Sequence, residues 1–148
     1  MPKSWIVTPD DLKKGDLVTP GWHPAVITKV EESEASDDAK NPGSTNVTFY
    51  FKILAGPDKG IEPKRLFNET AWGFAKDFFA TLQYPKDDKG NYKISMNLFE
   101  QSIGFKLMIY VKRGKSNRGN EFNDVADFKP LRGDAIAEEQ EETEETKA

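Results

Sequence analysis

The 148-residue sequence predicts a mainly-β barrel with one helix inserted between its third and fourth strands. Three observations carry that prediction. Phe105–Lys112 alternates with a period of two, setting Phe105, Leu107, Ile109 and Val111 against Lys106, Met108, Tyr110 and Lys112. Asn46–Leu54 does the same, with Val47, Phe49, Phe51 and Ile53 against Thr48, Tyr50, Lys52 and Leu54. Successive side chains of a strand leave opposite faces, so each run has one face to bury and one to show. The third observation is a single helical stripe, where Trp72, Ala75, Phe79 and Leu82 recur at spacings of three and four beside Phe78.

Residues 1–20 form a lead-in. Thr8-Pro9-Asp10-Asp11 has the form of a helix start, with Thr8 as cap and Pro9 at the first position, and Gly15 ends it quickly. Gly21–Glu31 is the first strand, with Val26, Thr28 and Val30 opposite Ala25, Ile27 and Lys29; the early Pro24 confines that end to an edge or bulge. Glu32–Asn46 turns to Ser, Asp, Asn, Pro and Gly and reads as a surface loop. After the Asn46–Leu54 strand, Gly56-Pro57-Asp58-Lys59-Gly60 is a turn, and Ile61–Phe67 a third strand broken by Pro63. Asn68 or Thr70 caps the helix, which plugs one end of the sheet. Tyr84–Tyr92 is a turn-rich connection, and Ser95–Ser102 carries a further helical turn. Phe105–Lys112 then leads through Arg113–Gly119, a basic hairpin tip, into a weaker strand, Asn120–Phe128. Strand-strand-strand-helix-strand-strand is the element order of the oligonucleotide-binding (OB) fold, a five-stranded Greek-key barrel. A small α+β sandwich is the alternative.

The net charge of −4 conceals an asymmetry. Asp134–Ala148 holds seven acids and one base, while residues 1–133 carry 20 basic and 18 acidic side chains. Five of those acids (Glu31, Glu32, Glu34, Asp37 and Asp38) cluster in or beside the first loop, so the rest of the body is basic. The sequence therefore divides into a domain, 1–133, and a disordered acidic tail, 134–148, with Leu131 and Ile136 as its last anchors. That tail serves solubility or, as a mimic of DNA charge, competes for a basic groove at high effective concentration. Cysteine is absent, which excludes disulfides and thiolate metal sites. No apolar run approaches the roughly 20 residues a membrane span requires, and MPKSWIVTPDD is no signal peptide. A soluble cytoplasmic protein is expected.

Catalytic signatures are poor. The sequence has no Gly-x-Ser-x-Gly elbow and no phosphate-binding glycine loop, and His23 has no evident partner. Asp10-Asp11, Asp37-Asp38 and Asp87-Asp88 sit among turn residues and read as solvated acids rather than a metal pair. The reading is a non-enzyme without metal or cofactor; a small nuclease has only the scattered acids behind it.

Cations interleaved with aromatics are the better signal. Phosphates need positive charge along a path, and unstacked bases need flat side chains to lie on. The candidate cations are Lys52, Lys64, Arg65, Lys106, Lys112, Arg113, Lys115 and Arg118, and the candidate platforms are Tyr50, Tyr110, Trp22 and Phe122. Trp72, on the helical stripe, is assigned to the core. The reading is a sequence-tolerant single-stranded-DNA binder. Its rival is a protein-interaction accessory factor in which DNA binding is incidental.

Three stretches add a resemblance: Gly21-Trp22-His23-Pro24-Ala25-Val26-Ile27, Val47-Thr48-Phe49 leading to Gly56-Pro57-Asp58-Lys59-Gly60, and Gly119-Asn120-Glu121-Phe122-Asn123-Asp124-Val125. Over residues 15–130 the chain resembles bacteriophage OB-fold single-stranded-DNA-binding proteins and the poorly characterised phage families related to them. The resemblance implies a replication or recombination protein that coats exposed DNA and meets replication or recombination proteins through its acidic tail. Bacterial-type tails end in an aromatic residue that docks in partners, and Glu145-Thr146-Lys147-Ala148 departs from that pattern.

Overall fold

The structure, a computed structural model, describes residues 3–9, 12 and 15–131. The acidic segment 134–148, Ile136 and the Asp10-Asp11 pair lie outside the described residues. Five strands form one antiparallel sheet: β1 (Gly21–Glu34), β2 (Thr45–Ile53), β3 (Lys64–Asn68), β4 (Lys106–Lys115) and β5 (Glu121–Pro130). Their spatial order is β3-β2-β1-β4-β5. A 3-10 turn (Glu69–Ala75), α1 (Lys76–Thr81) and α2 (Met96–Gln101) lie between β3 and β4. The protein is therefore mainly β, with its helical segments where the sequence puts them.

β1 organises the sheet. Its 14 residues are long enough to pair with β4 over Gly21–Val26 and with β2 over Ala25–Glu34. The first loop consequently starts later than the composition suggests, because Glu31–Glu34 continue the ladder opposite Thr48–Thr45. β3 is short, but its ladder is prolonged by Phe51 and Ile53 amides donating to the Pro63 and Ile61 carbonyls at 2.8 and 2.9 Å. Pro63 can accept there although it has no N–H to give.

The sheet is curled. A flat five-stranded sheet would hold its two edge strands about 19 Å apart, four strand spacings. Here the Arg65 guanidinium on edge strand β3 donates to the Val125 carbonyl on edge strand β5 at 2.8 Å. The Phe67 and Phe128 rings, also one from each edge, lie 6.4 Å apart. No backbone ladder joins β3 to β5 among the described residues, so the ring of strands is left open. Phenylalanines fill the gap. Phe78 of α1 lies 4.5 Å from Phe128, 4.7 Å from Phe49 and 5.4 Å from Phe67 between ring centroids. Behind it Phe79, Trp72, Tyr84, Tyr92 and Phe99 make a second aromatic layer, joined to the first where Phe99 meets Phe49 at 5.3 Å. Trp72 is half-buried in that layer, as expected for a core residue.

The helix itself is shorter than the stripe predicts. Asn68 caps it, its side-chain oxygen accepting the Thr70 amide. Ala71 then leaves helical geometry, and only Lys76–Thr81 is α-helical. The kink swings Phe74 outward, where 76% of it is exposed.

Because Arg65 is the polar link between the two edges, its loss should be felt in stability. Arg65→Ala is expected to cost about 1.5–3 kcal/mol, the range for a hydrogen bond from a charged group. Denaturant titration measures it; an unchanged midpoint would mean that aromatic packing alone holds β3 to β5.

Candidate nucleic-acid interface

Registers across the sheet decide which side chains share the outer face. On β2 the buried set is Val47, Phe49, Phe51 and Ile53, and on β4 it is Leu107, Ile109 and Val111, as the alternation predicts. Tyr50, Lys52, Lys106, Met108, Tyr110 and Lys112 are left on the other side. Pairing arranges them in rows. Lys64, Tyr50 and Lys29 form the first; Lys52, Val26 and Lys106 the second; Pro24, Met108 and Lys129 the third. Trp22, Tyr110 and Asp127 come next, then Lys112 opposite Asp124, and finally Gly114 opposite Phe122 at the hairpin.

The aromatics in these rows are braced. Trp22 and Tyr110 meet edge to face at 5.4 Å, and the Lys129 ammonium sits 4.3 Å from the Trp22 ring centroid. Lys29 and Lys64 lie 5.2 and 6.0 Å from the Tyr50 ring. The Tyr50 hydroxyl donates to Glu31 at 2.8 Å, and Lys29 pairs with the same carboxylate at 2.9 Å. The Lys29 hydrogen bond, then that of Tyr50, holds Glu31 below the usual carboxylate range; the Glu31 bond in turn raises the Tyr50 phenol and the Lys29 ammonium. Lys29 thus already has a carboxylate partner. Lys52, Lys64 and Lys106 have no carboxylate within ion-pair distance among the described residues. Lys112 has only Asp124 at 3.9 Å, a long and exposed pair of small worth.

Four expected site residues are not on this face. Arg65 follows Lys64 directly, and adjacent strand residues point to opposite sides. It stands opposite Phe49, lies 5.0 Å from the Phe67 ring and is bonded to Val125, so it links the two edge strands and is not on the outer face. Arg113 follows Lys112 and is turned away in the same manner. It donates to the Val18 carbonyl at 3.4 Å and to Glu121 at 3.0 Å, tying the lead-in to the hairpin. Lys115 pairs opposite Glu121 on that same side of the hairpin. Arg118 is exposed at the turn beyond both faces. Trp22, Tyr50, Lys52, Lys64, Lys106, Tyr110, Lys112 and Phe122 do share the outer face.

Lys29 and Lys129 were not legible as members. A bulge at Thr28, where Ile27 pairs with Phe51 and Lys29 already with Tyr50, reverses the phase of β1. Val30 moves toward the core and Lys29 outward, contrary to the simple alternation. The Thr28 hydroxyl is occupied by the Tyr50 carbonyl and the Glu62 carboxylate. A second bulge at Ala126 does the same to β5, which lets both Val125 and Phe128 be buried and sends Lys129 out beside Trp22.

Phe122 is 48% exposed, yet it is not loose. Its ring lies over Gly114, so close that a Cβ built there would meet ring carbons at 2.3–2.8 Å. A glycine is what leaves room for the ring, a cross-strand aromatic–glycine pairing. Gly114→Ala should therefore push Phe122 off its seat. If Phe122 is a base platform, Gly114→Ala and Phe122→Ala should each weaken binding by about 1–3 kcal/mol, and the double variant should be no worse than either alone. Additive losses in a fluorescence titration would show that Gly114 acts by another route.

Of the acidic pairs, Asp87-Asp88 serves a turn. Asp87 accepts the Lys89 and Asn91 amides at 2.9 Å each and closes a small hairpin between Lys86 and Tyr92. The Asn91 amide is the main cause holding its carboxyl below the usual range. Among the described residues no three His, Cys, Asp or Glu side chains gather as a metal site would require. The His23 ring lies 2.6 Å from the Thr19 carbonyl, a local contact. No family model matches the chain, and no curated protein matches it.

Proposed function

We propose that the outer face binds single-stranded DNA with little regard to sequence, and that the open, curled sheet is an OB-type barrel. The chain is then a non-catalytic protein of replication or recombination, of the phage kind that its sequence resembles. One observation carries the reading: aromatic and cationic side chains are interleaved along a single face. Tyr50 is followed by Lys52 and Lys106, these by Met108 and Lys129, then Trp22 with Tyr110, then Lys112, then Phe122. Bases stack on such platforms whatever their identity, because every base has a π-face, while the lysines follow the backbone. The OB reading is supported by a first strand shared between β2 and β4, by the approach of β3 to β5, and by helical segments between β3 and β4. The carboxylates on the same face, Glu31, Glu62, Asp124 and Asp127, are exposed or partly so, and the ion pairs of Glu31 and Asp124 are the kind a phosphate displaces cheaply.

Titration of a labelled oligonucleotide at several salt concentrations tests it. Four to six phosphate contacts, each releasing about 0.7 counterion, give a log–log slope of about −3 to −4. Lys64→Ala should make that slope shallower, whereas Arg65→Ala should leave it alone. A slope near zero, or equal affinity for duplex and single strand, sinks the proposal and favours the accessory-factor reading.

A further inference from the structure

Two apolar features lie apart from the rows of cations and aromatics, one of them at the far end of the same sheet face, beyond Lys64 and Tyr50, and neither is covered by the described residues. The first is the arm Ser4-Trp5-Ile6-Val7, which belongs to no helix or strand, carries the β-branched Ile6 and Val7 and is exposed throughout. Trp5 is 77% exposed and Ile6 93%. The second is an open groove beside β3, floored by Leu66 and walled by Ala35 and Ala39 of the first loop and by Ala71 and Phe74 of the kinked turn. Leu66 is 50% exposed. Neither is a scattered surface apolar residue; each is contiguous, as surfaces that meet a partner are.

We infer that the groove receives the Trp5–Val7 arm of a second copy of this chain. The two features match in chemistry and in charge. The arm carries Lys3 and, over the described residues 3–9, no acid; the end of β1 and the loop that walls the groove carry three exposed acids, Glu34, Asp37 and Asp38, against one cation, Lys40, which lines the groove. Trp5 supplies a large rigid apolar surface of the sort that anchors an interface, and Phe74 supplies its counterpart. Both are left in solvent in the single chain. The arm is held at its base, where the Val18 amide donates to Asn123 at 2.7 Å and the Asn123 amide to the Asp16 carbonyl at 2.9 Å. That anchor is on β5, and the exposure of Trp5 and Ile6 shows that the arm does not fill the groove of its own chain.

Arm into groove is a head-to-tail contact, not a self-complementary one. Unless its rotation closes a ring, it propagates into an open chain of copies. A few residues on each side make it a small interface, in the weak and transient class below about 1,200 Å². The association should therefore depend on concentration. It does not rest on the DNA reading and is tested without DNA.

Sedimentation of the full chain from micromolar to millimolar concentration is the first measurement, with weight-average mass expected to rise steadily. Ile6→Asp in the arm and Phe74→Asp in the groove should each weaken association at least ~30-fold, as loss of a central anchor does. Mixing the two variants gives the decisive result. Each retains one intact half, so the mixture should form dimers with one good contact and nothing larger. Ala71→Glu is a second groove variant should Phe74→Asp melt early. A wild-type chain that stays monomeric throughout overturns the proposal, as does association that survives both variants. So does a monomer in which Trp5 is quenched or shielded by its own groove.

Discussion

Phe78→Ala should remove about 3–5 kcal/mol of stability, the usual cost of deleting a buried phenylalanine. Against a total of about 5–15 kcal/mol for a domain of this kind, that is a large share of the margin. The reason for expecting the upper part of the range lies in where the ring sits. Phe78 is fully buried, and its neighbours come from β2 (Phe49 and Phe51), β3 (Phe67), β5 (Phe128) and the next residue, Phe79. It is the wedge between two edge strands that share no backbone ladder. A six-residue helix cannot persist by its own hydrogen bonds, so α1 is held to the sheet by this ring as much as the sheet is held by it. Phe74→Ala is the internal control, since an exposed ring should change stability by no more than about 0.5 kcal/mol. Urea titration with the m-value held equal gives both numbers. A loss near 1 kcal/mol for Phe78→Ala would mean that the gap closes without it and that α1 is decoration.

The core was readable because it obeys simple periods. β2 and β4 each keep one phase from end to end, so the seven residues Val47, Phe49, Phe51, Ile53, Leu107, Ile109 and Val111 follow from alternation alone. Where a bulge intervenes, the period fails and so does the inference, which is why Lys29 and Lys129 went unseen. Basic doublets misled in another way. Lys64-Arg65 and Lys112-Arg113 look like dense positive charge in sequence, but on a strand each doublet is split between two faces. Half of that charge is spent on the link between the two edge strands and on the lead-in. The helix stripe was right about burial and wrong about extent, because the aromatic spacing holds across Ala71 while the backbone does not. Trp5-Ile6-Val7 gave no period at all, and its exposure became visible only with the rest of the chain folded.

Removing the Trp22 and Tyr110 rings together should have the largest effect on the proposed activity. Each stacking platform is worth about 1–3 kcal/mol per base, so two give about 2–6 kcal/mol, or from thirty-fold to beyond ten-thousand-fold in affinity. The lower half of that interval is expected. The rings touch each other at 5.4 Å, and residues in contact do not contribute independently. The first replacement already frees its neighbour to tilt, and Lys129 loses the ring it sits above. Trp22→Val with Tyr110→Thr is a better choice than alanine at both sites, because β-branched side chains keep the strands' local preference while removing the π-faces. Both positions are half-buried on the outer face, away from the phenylalanine core. Melting temperature should therefore fall far less than for Phe78→Ala. Lys112→Ala offers the contrasting signature, a weaker affinity with a shallower salt slope, whereas loss of the rings should weaken affinity at every salt concentration and leave the slope where it was. If the ring-free variant binds single strands as the parent does, the bases do not lie on this face, and the rows of cations and aromatics serve only to keep the sheet in solution.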